Sequence, residues 1–196
     1  MNVLAHALLA GPDEWLRLGG VMGDFVRGTP DPALPASVRD GIHLHRAIDT
    51  FTDSHPDVRA CRELFEPPYR RYAGIFLDIW FDHYLARDFL RWTGEDLGEW
   101  SDALRAMLHR HDDLLPEALR RFLSYMDRQG LPAGYAEPSV VERAFQGVSQ
   151  RLSRANPIAT VLPLLVANDA ALKVRFEVFF PQLQVFATDW IAARRS

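Results

Sequence analysis

Residues 75–85 read Ile-Phe-Leu-Asp-Ile-Trp-Phe-Asp-His-Tyr-Leu, an apolar run that carries Asp78, Asp82 and His83. In a helix, the two aspartates stand one turn apart on the same face, with His83 about 100° further round. A helix this apolar is predicted to be buried, and buried carboxylates need a cation or hydrogen-bond donors beside them. A divalent metal ion would meet that need, and so would ion pairs with arginines.

A second segment strengthens the metal interpretation. Residues 41–53 are predicted to be helical, and His45, Asp49 and Asp53 follow one another at i, i+4 and i+8, on one stripe of that helix. Neutral imidazole and carboxylate oxygen can ligate the same divalent ion, although a simple His–Asp hydrogen bond has the same spacing. Asp24, which lies between apolar neighbours, adds a further acid. Together these groups predict a metal site shared by several helices.

Helical periods run through the chain, with almost no alternating strand pattern. Helices are predicted over residues 2–10, 13–27, 37–54, 56–65, 68–92, 100–110, 116–129, 139–154 and 168–192. Pro56 and Pro116 suit the first turn of a helix, Gly130 suits the position after one, and Pro181 predicts a kink or break in the last. With 196 residues and no repeat, residues 1–196 are predicted to form one all-α domain, a helical bundle.

Composition limits the kind of protein this can be. A hydrophobic fraction of 48% with 24% charged residues is typical of a globular protein, and the net charge of −4 provides no basic field for nucleic acid. The single Cys61 excludes an intramolecular disulfide and favours a small buried side chain in a reducing compartment. No apolar run approaches the ~20 residues that span a bilayer, and no signal peptide is evident. We expect a cytoplasmic protein with neither a membrane nor a nucleic-acid partner.

Several motifs occur in a characteristic order and spacing. They are Met-Asn-Val-Leu-Ala-His at 1–6, Gly-Asp-Phe-Val-Arg-Gly at 23–28, Gly-Ile-His-Leu-His-Arg-Ala-Ile-Asp at 41–49, Thr-Asp at 52–53 and Leu-Asp-Ile-Trp-Phe-Asp-His at 77–83. In this register the chain resembles the bacterial acyl carrier protein phosphodiesterases. The resemblance is dense over the motif-bearing half, residues 1–92, and thin over the helical C-terminal half, residues 93–196.

The resemblance implies a helical, metal-dependent phosphohydrolase related to the HD-domain group. Such an enzyme hydrolyses the bond between 4′-phosphopantetheine and a serine of holo acyl carrier protein, an acidic protein, and leaves apo acyl carrier protein. Manganese is the implied ion, with magnesium or another divalent ion as the alternative. The expected metal ligands are Asp24, His45, Asp49, Asp78 and Asp82. The expected catalytic residues are His43 or His83 as general acid and Arg27 or Arg46 beside the phosphate.

Some assignments stay open at this level. His45 is preferred to His43 as ligand because it shares a stripe with Asp49, but the two could be exchanged. The adjacent pair Asp82–His83 also reverses the His–Asp order of HD proteins. Asp53 is not expected to bind the metal itself but to orient one of its ligands, His45 or Asp49. Two minor sites are expected to be structural or solvated: His6, and the histidine and aspartate cluster at 109–113.

Two other functions fit the same motifs. One is an HD-type hydrolase of a nucleotide or another small phosphoester, which would use the same metal and aspartates. A closed pocket would favour that substrate, whereas an arginine-lined mouth would favour an acidic protein. The other is a non-catalytic helical binding protein, in which the acid and histidine clusters are internal ion pairs.

Overall fold

The computed structural model describes residues 1–195, which form eleven α-helices and no strand, so the all-α prediction is confirmed. The helices are α1 Val3–Leu9, α2 Glu14–Met22, α3 Ala36–Ser54, α4 Pro56–Glu63, α5 Ala73–Arg87, α6 Phe89–Thr93, α7 Leu97–Arg110, α8 Glu117–Gln129, α9 Pro138–Arg151, α10 Leu162–Ala167 and α11 Asp169–Arg195. Short 3₁₀ turns occur at Gly23–Phe25, Arg70–Tyr72, Asp112–Leu114, Ala133–Ala136 and Ile158–Thr160.

The helices differ from the predicted ones in three main respects. The helix predicted over 68–92 is a 3₁₀ turn followed by α5 and α6, which separate at Asp88, where the sequence offers neither glycine nor proline. Helix α10 was not predicted. Helix α11 continues through Pro181, so of the predicted kink or break, the break does not occur. Close to that proline, the side chain of Gln182 donates a hydrogen bond of 3.1 Å to the carbonyl of Val178.

Helix α5 lies at the centre of the protein, with buried side chains on all sides, as its apolar sequence predicts. On one side Phe81 packs against Phe176 of α11, with ring centroids 5.2 Å apart. One continuous hydrophobic core joins residues from Met1 to Ala187. Cys61 is buried in that core, as predicted, and burial raises the pKa of its thiol to about 12.

Helices α2 and α3 cross with their backbones in contact, which two glycines permit. A Cβ atom on Gly19 would lie 2.0 Å from the carbonyl oxygen of Val38, and one on Gly41 would lie 2.2 Å from that of Leu16. No side chain fits either position. The close crossing brings the end of α2, with the 3₁₀ turn Gly23–Phe25, beside the middle of α3.

None of the helices in the described residues combines the length and hydropathy that are needed to cross a bilayer.

Candidate active site

Side chains of α1 and α3 together form a cluster of two histidines and an aspartate. His6, His45 and Asp49 each offer a ligand atom, and these atoms lie within 4.8 Å of one another. The two carboxylate oxygens of Asp49 divide between the imidazoles: Oδ1 is 3.1 Å from Nε2 of His6, and Oδ2 is 3.3 Å from Nε2 of His45. Among the described residues, this is the group of three or more histidine, cysteine or acidic side chains whose ligand atoms lie close enough together to hold one metal ion.

A hydrogen bond to the backbone sets the orientation of the His45 ring. Its Nδ1 donates a 2.8 Å hydrogen bond to the carbonyl of Gly20, which directs Nε2 towards Asp49 and towards Asp24, 3.3 Å away. Gly23 leaves room for this arrangement, because a Cβ at that position would lie 2.2 Å from the His45 ring. A backbone carbonyl that fixes the tautomer of a histidine is a common support for a metal ligand.

His6 completes the cluster, although only a structural role is predicted for it from the sequence. Its ring stacks on that of His45, with centroids 3.6 Å apart and planes 16° from parallel. His6 is buried, and neither ring nitrogen has a partner with hydrogen-bond geometry. Its Nε2 nevertheless lies close to Asp49. The signal that could have identified His6 is its place in the motif at residues 1–6.

The charges in the cluster favour a bound cation. Burial alone lowers the pKa of His45, but hydrogen bonds to Asp24 and Asp49 outweigh that effect and raise it to about 9. Burial and the neighbouring His45 lower the pKa of His6 to about 4. Burial raises the pKa of Asp49, but the two neighbouring imidazoles outweigh burial and hold it well below its usual range. The cluster therefore holds one positive charge between carboxylates, in the form of a proton on His45.

These residues fit a divalent ion. The donors are two imidazoles and two carboxylates. This set suits hard divalent ions such as manganese and magnesium, and also borderline ones. The buried ring nitrogens of His6 lack hydrogen bonds, which is a costly arrangement unless another partner is present. An ion between His6, His45 and Asp49 would supply that partner.

Asp78 lines the larger cavity beside the cluster, but it pairs with the α-amino group of Met1. Its Oδ1 accepts a 2.7 Å hydrogen bond from the α-amino group of Met1, which is also 3.8 Å from Oδ1 of Asp49. Burial lowers the pKa of that amino group, but Asp78 and Asp49 outweigh burial and raise it to about 10. The space between these two carboxylates therefore stabilises positive charge.

Asp82 has a different role from the predicted one, because its oxygens are already occupied. They accept backbone N–H groups from Asn2, Leu4 and Ala5, at 3.2, 2.8 and 3.4 Å, and the side chain is fully buried. These donors are the otherwise unpaired N–H groups at the start of α1. Asp82 lies outside the pocket lining and holds α1 in place, and thereby His6.

The predicted general acids lie outside the pocket. His83 is buried, and its Nδ1 donates a 2.7 Å hydrogen bond to the carbonyl of Tyr135, while the ring packs against Trp80. His43 is exposed on α3, whereas His45 is buried. Neither His43 nor His83 lines a cavity beside the cluster. The structure gives no support to proton transfer by either residue.

The arginines of the motifs are also outside the pocket lining. Arg27 is exposed, and Arg46 donates a 2.9 Å hydrogen bond to the carbonyl of Val26, which ties α3 to the turn that carries Asp24. Asp53 forms an ion pair with Arg62 and contacts neither His45 nor Asp49 through a hydrogen bond, so its expected orienting role is not seen among the described residues.

The cluster opens into two adjoining cavities. The smaller one, of about 270 Å³, contains His6 and His45. The larger one, of about 700 Å³, has an acidic wall and an apolar wall. The acidic wall consists of Asp24, Asp49, Asp53 and Asp78, and the apolar wall includes Phe25, Ile75, Ile79, Phe122, Tyr125 and Val148. Both cavities share Arg151, on the last turn of α9.

The histidines at 109 and 111 belong to surface ion pairs, as expected. His109 lies 3.1 Å from a carboxylate oxygen of Asp127, and His111 lies 2.7 Å from one of Glu14.

Fold and site together define an all-helical protein with a histidine–carboxylate cluster at the end of a half-apolar cavity. The sequence model of the family described as acyl carrier protein phosphodiesterase matches residues 1–183. Two curated relatives carry that name. The one from Enterobacter sp. (strain 638) is 33% identical over 95% of this chain and 97% of its own length. The one from Escherichia coli O157:H7 (strain EC4115 / EHEC) is 33% identical over 96% of this chain and 98% of its own length.

The chain belongs to the acyl carrier protein phosphodiesterase family, and the resemblance inferred from its motifs is confirmed over nearly its whole length. No solved structure matches it significantly. The relation to the HD-domain group therefore stays a prediction.

Proposed function

We propose that this enzyme hydrolyses the phosphodiester that joins 4′-phosphopantetheine to a serine of holo acyl carrier protein. The products are apo acyl carrier protein and 4′-phosphopantetheine. The observation that carries the proposal is the cluster of His6, His45 and Asp49 at the junction of two cavities. The names of the relatives support the substrate. The proposal includes a cytoplasmic location, which the reduced Cys61 fits.

The residues that would hold a divalent ion are His6, His45, Asp49 and Asp24, and we propose manganese as that ion. When bound, the ion would acidify a water molecule and neutralise a phosphate oxygen. Asp49 keeps both imidazoles pointed at one place, and Gly20 fixes the ring of His45. Relative to the predicted ligand set, His6 is added and two aspartates are left out. Asp78 pairs with the α-amino group of Met1, and Asp82 accepts backbone N–H groups of Asn2, Leu4 and Ala5.

Proton transfer falls to a carboxylate rather than to His43 or His83. Burial raises the pKa of Asp78, against the opposing effect of the Met1 ammonium group, whereas His45 lowers that of Asp24. A general base works best when its pKa approaches the working pH. Asp78 also lines the larger cavity, so we propose it as the group that would accept a proton from the attacking water.

The lining of the larger cavity supports the carrier-protein substrate over a nucleotide. Its apolar wall offers a surface for the narrow, partly apolar pantetheine arm. Arg121 and Arg151 are among the lining residues, and their positive charge suits an acidic protein partner.

Mass spectrometry of holo acyl carrier protein, incubated with the enzyme and manganese, tests the proposal. We expect the carrier protein to lose the mass of phosphopantetheine. That loss should be absent with Asp49→Asn and in the presence of a chelator. An unchanged carrier protein, with metal demonstrably bound to the enzyme, would contradict the proposed substrate.

A further inference from the structure

The larger cavity is lined by an arginine that takes no part in the proposed metal site. A phosphodiester brings a negative charge to a cavity whose wall already carries four aspartates. The two arginines of the sequence motifs lie outside the lining, and one of them, Arg46, is bound to a backbone carbonyl. The arginines that line the cavity are Arg121 on α8 and Arg151 on α9.

These two arginines differ in their partners. Arg121 forms an ion pair with Glu117, one turn earlier on α8. The exposed side chain of Arg151 has no hydrogen bond or ion pair within residues 1–195. Arg151 also lines both cavities, so it lies where the smaller cavity, with the histidines, meets the larger one.

The surroundings of Arg151 connect it to the site. Burial raises the pKa of Tyr135, and the positive charge of Arg151 partly opposes that rise, so the two side chains are within electrostatic reach. The hydroxyl of Tyr135 accepts a 3.1 Å hydrogen bond from the side chain of Asn2. Asn2 and Tyr135 both line the larger cavity, next to the acidic wall.

We propose that Arg151 binds the phosphate of the substrate, an inference that rests on the proposed function. A guanidinium group presents parallel N–H donors that match two phosphate oxygens, and a group without a competing carboxylate is free to make that contact. At the junction of the two cavities, Arg151 would offset the charge of the acidic wall and hold the phosphate beside the histidine cluster.

Binding of inorganic phosphate to the manganese-loaded enzyme, followed by calorimetry, tests this directly. Arg151→Ala should weaken phosphate binding about tenfold or more, which corresponds to about 1.4 kcal/mol. Arg151→Lys should recover part of the loss. Arg154→Ala is the matched control, because Arg154 is equally exposed, is three residues further along the chain and lines neither cavity. Equal phosphate binding by Arg151→Ala and the wild type would overturn the inference.

Turnover separates this inference from the proposed function. We expect Arg151→Ala to lower kcat/KM about 100-fold for holo acyl carrier protein and for bis(4-nitrophenyl) phosphate alike. A loss confined to the carrier protein, and abolished at high salt, would show that Arg151 docks the acidic protein, and would overturn the phosphate role. If the wild type cleaves only the small ester, the proposed substrate fails, while the phosphate-binding result still decides the role of Arg151.

Discussion

The imidazole rings of His6 and His45 lie 3.6 Å apart in a parallel stack, although one belongs to α1 and the other to α3. Two stacked rings cannot both be protonated without repulsion, and their pKa values are displaced in opposite directions. Their Nε2 atoms face the same carboxylate, Asp49. In the proposed metal site, the two rings would therefore ligate one cation together with Asp49.

Removal of one ring should therefore weaken metal binding. We expect His6→Ala to lower manganese affinity by more than the 10–100-fold typical of changes to groups behind a ligand. His43→Ala, on the same protein but at an exposed position, should leave the affinity unchanged. Titration of manganese, followed by electron paramagnetic resonance, measures both. Equal affinities for the two variants would remove His6 from the ligand set.

Metal binding should release a proton. His45 must be neutral to ligate an ion, and its pKa is raised to about 9 in the metal-free protein, so it is protonated at pH 7.5. We expect about one proton to be released per ion, and the apparent affinity to rise roughly tenfold per pH unit between pH 7 and 8.5. Calorimetry in buffers of different ionisation enthalpy counts the protons. No release at pH 7.5 would show that His45 is not a ligand.

The same shift affects the stability of the metal-free protein. Because the folded pKa of His45 lies above its ordinary value of 6.5, its ion pairs stabilise the fold fully below pH 6.5, and that contribution is lost as the pH rises towards 9. Urea unfolding in a chelator should therefore show a free energy of unfolding that falls across this range. His45→Gln should flatten the dependence. A wild-type profile as flat as that of the variant would disagree with the shift.

Gly23 offers a test of how the His45 ring is positioned. Gly23→Ala places a Cβ where the ring now lies, so we expect the ring to move and manganese affinity to fall at least tenfold. Gly147→Ala is the control, since a Cβ there meets no atom within 4 Å. Affinity and far-ultraviolet circular dichroism should be measured on both. Unaltered affinity in Gly23→Ala would mean that the site tolerates a displaced ring.

Asp82 should matter to stability more than its distance from the cavity suggests. Asp82→Ala leaves three buried or half-buried N–H groups of α1 without an acceptor, and we expect a loss of about 2–4 kcal/mol in the free energy of unfolding. Asp102→Ala removes only an exposed ion pair and should cost less than about 1 kcal/mol. Chemical denaturation compares them. Similar losses in both variants would argue against the anchoring role.

Local patterns in the sequence predicted most of the helices and two of the three residues of the cluster, His45 and Asp49. The four-residue spacing of His45 and Asp49 puts both on one face of α3, and the structure brings them within 3.3 Å. His6 could not be assigned in this way, because long-range contacts position α1, among them the hydrogen bonds from its first residues to Asp82, about 80 positions away. Long-range contacts of that kind leave no local spacing to detect.

The Asp82–His83 pair shows the second limit. A buried carboxylate requires positive charge or hydrogen-bond donors, and the sequence cannot say which. For Asp82 the donors are backbone N–H groups of another helix, and for His83 the acceptor is the carbonyl of Tyr135. Main-chain partners carry no sequence signature, so both residues resembled site residues while serving the fold.

The larger cavity has two walls of different origin. The carboxylates and the histidine cluster come from the segment that runs from α1 to α5, whereas Phe122, Tyr125, Val148 and Arg151 come from α8 and α9. Under the proposed function, the groups for the reaction and a large part of the surface for the pantetheine arm are thus encoded in separate stretches of the polypeptide. Evolution could exchange the second stretch, and with it the preferred substrate, while the hydrolytic machinery stayed intact.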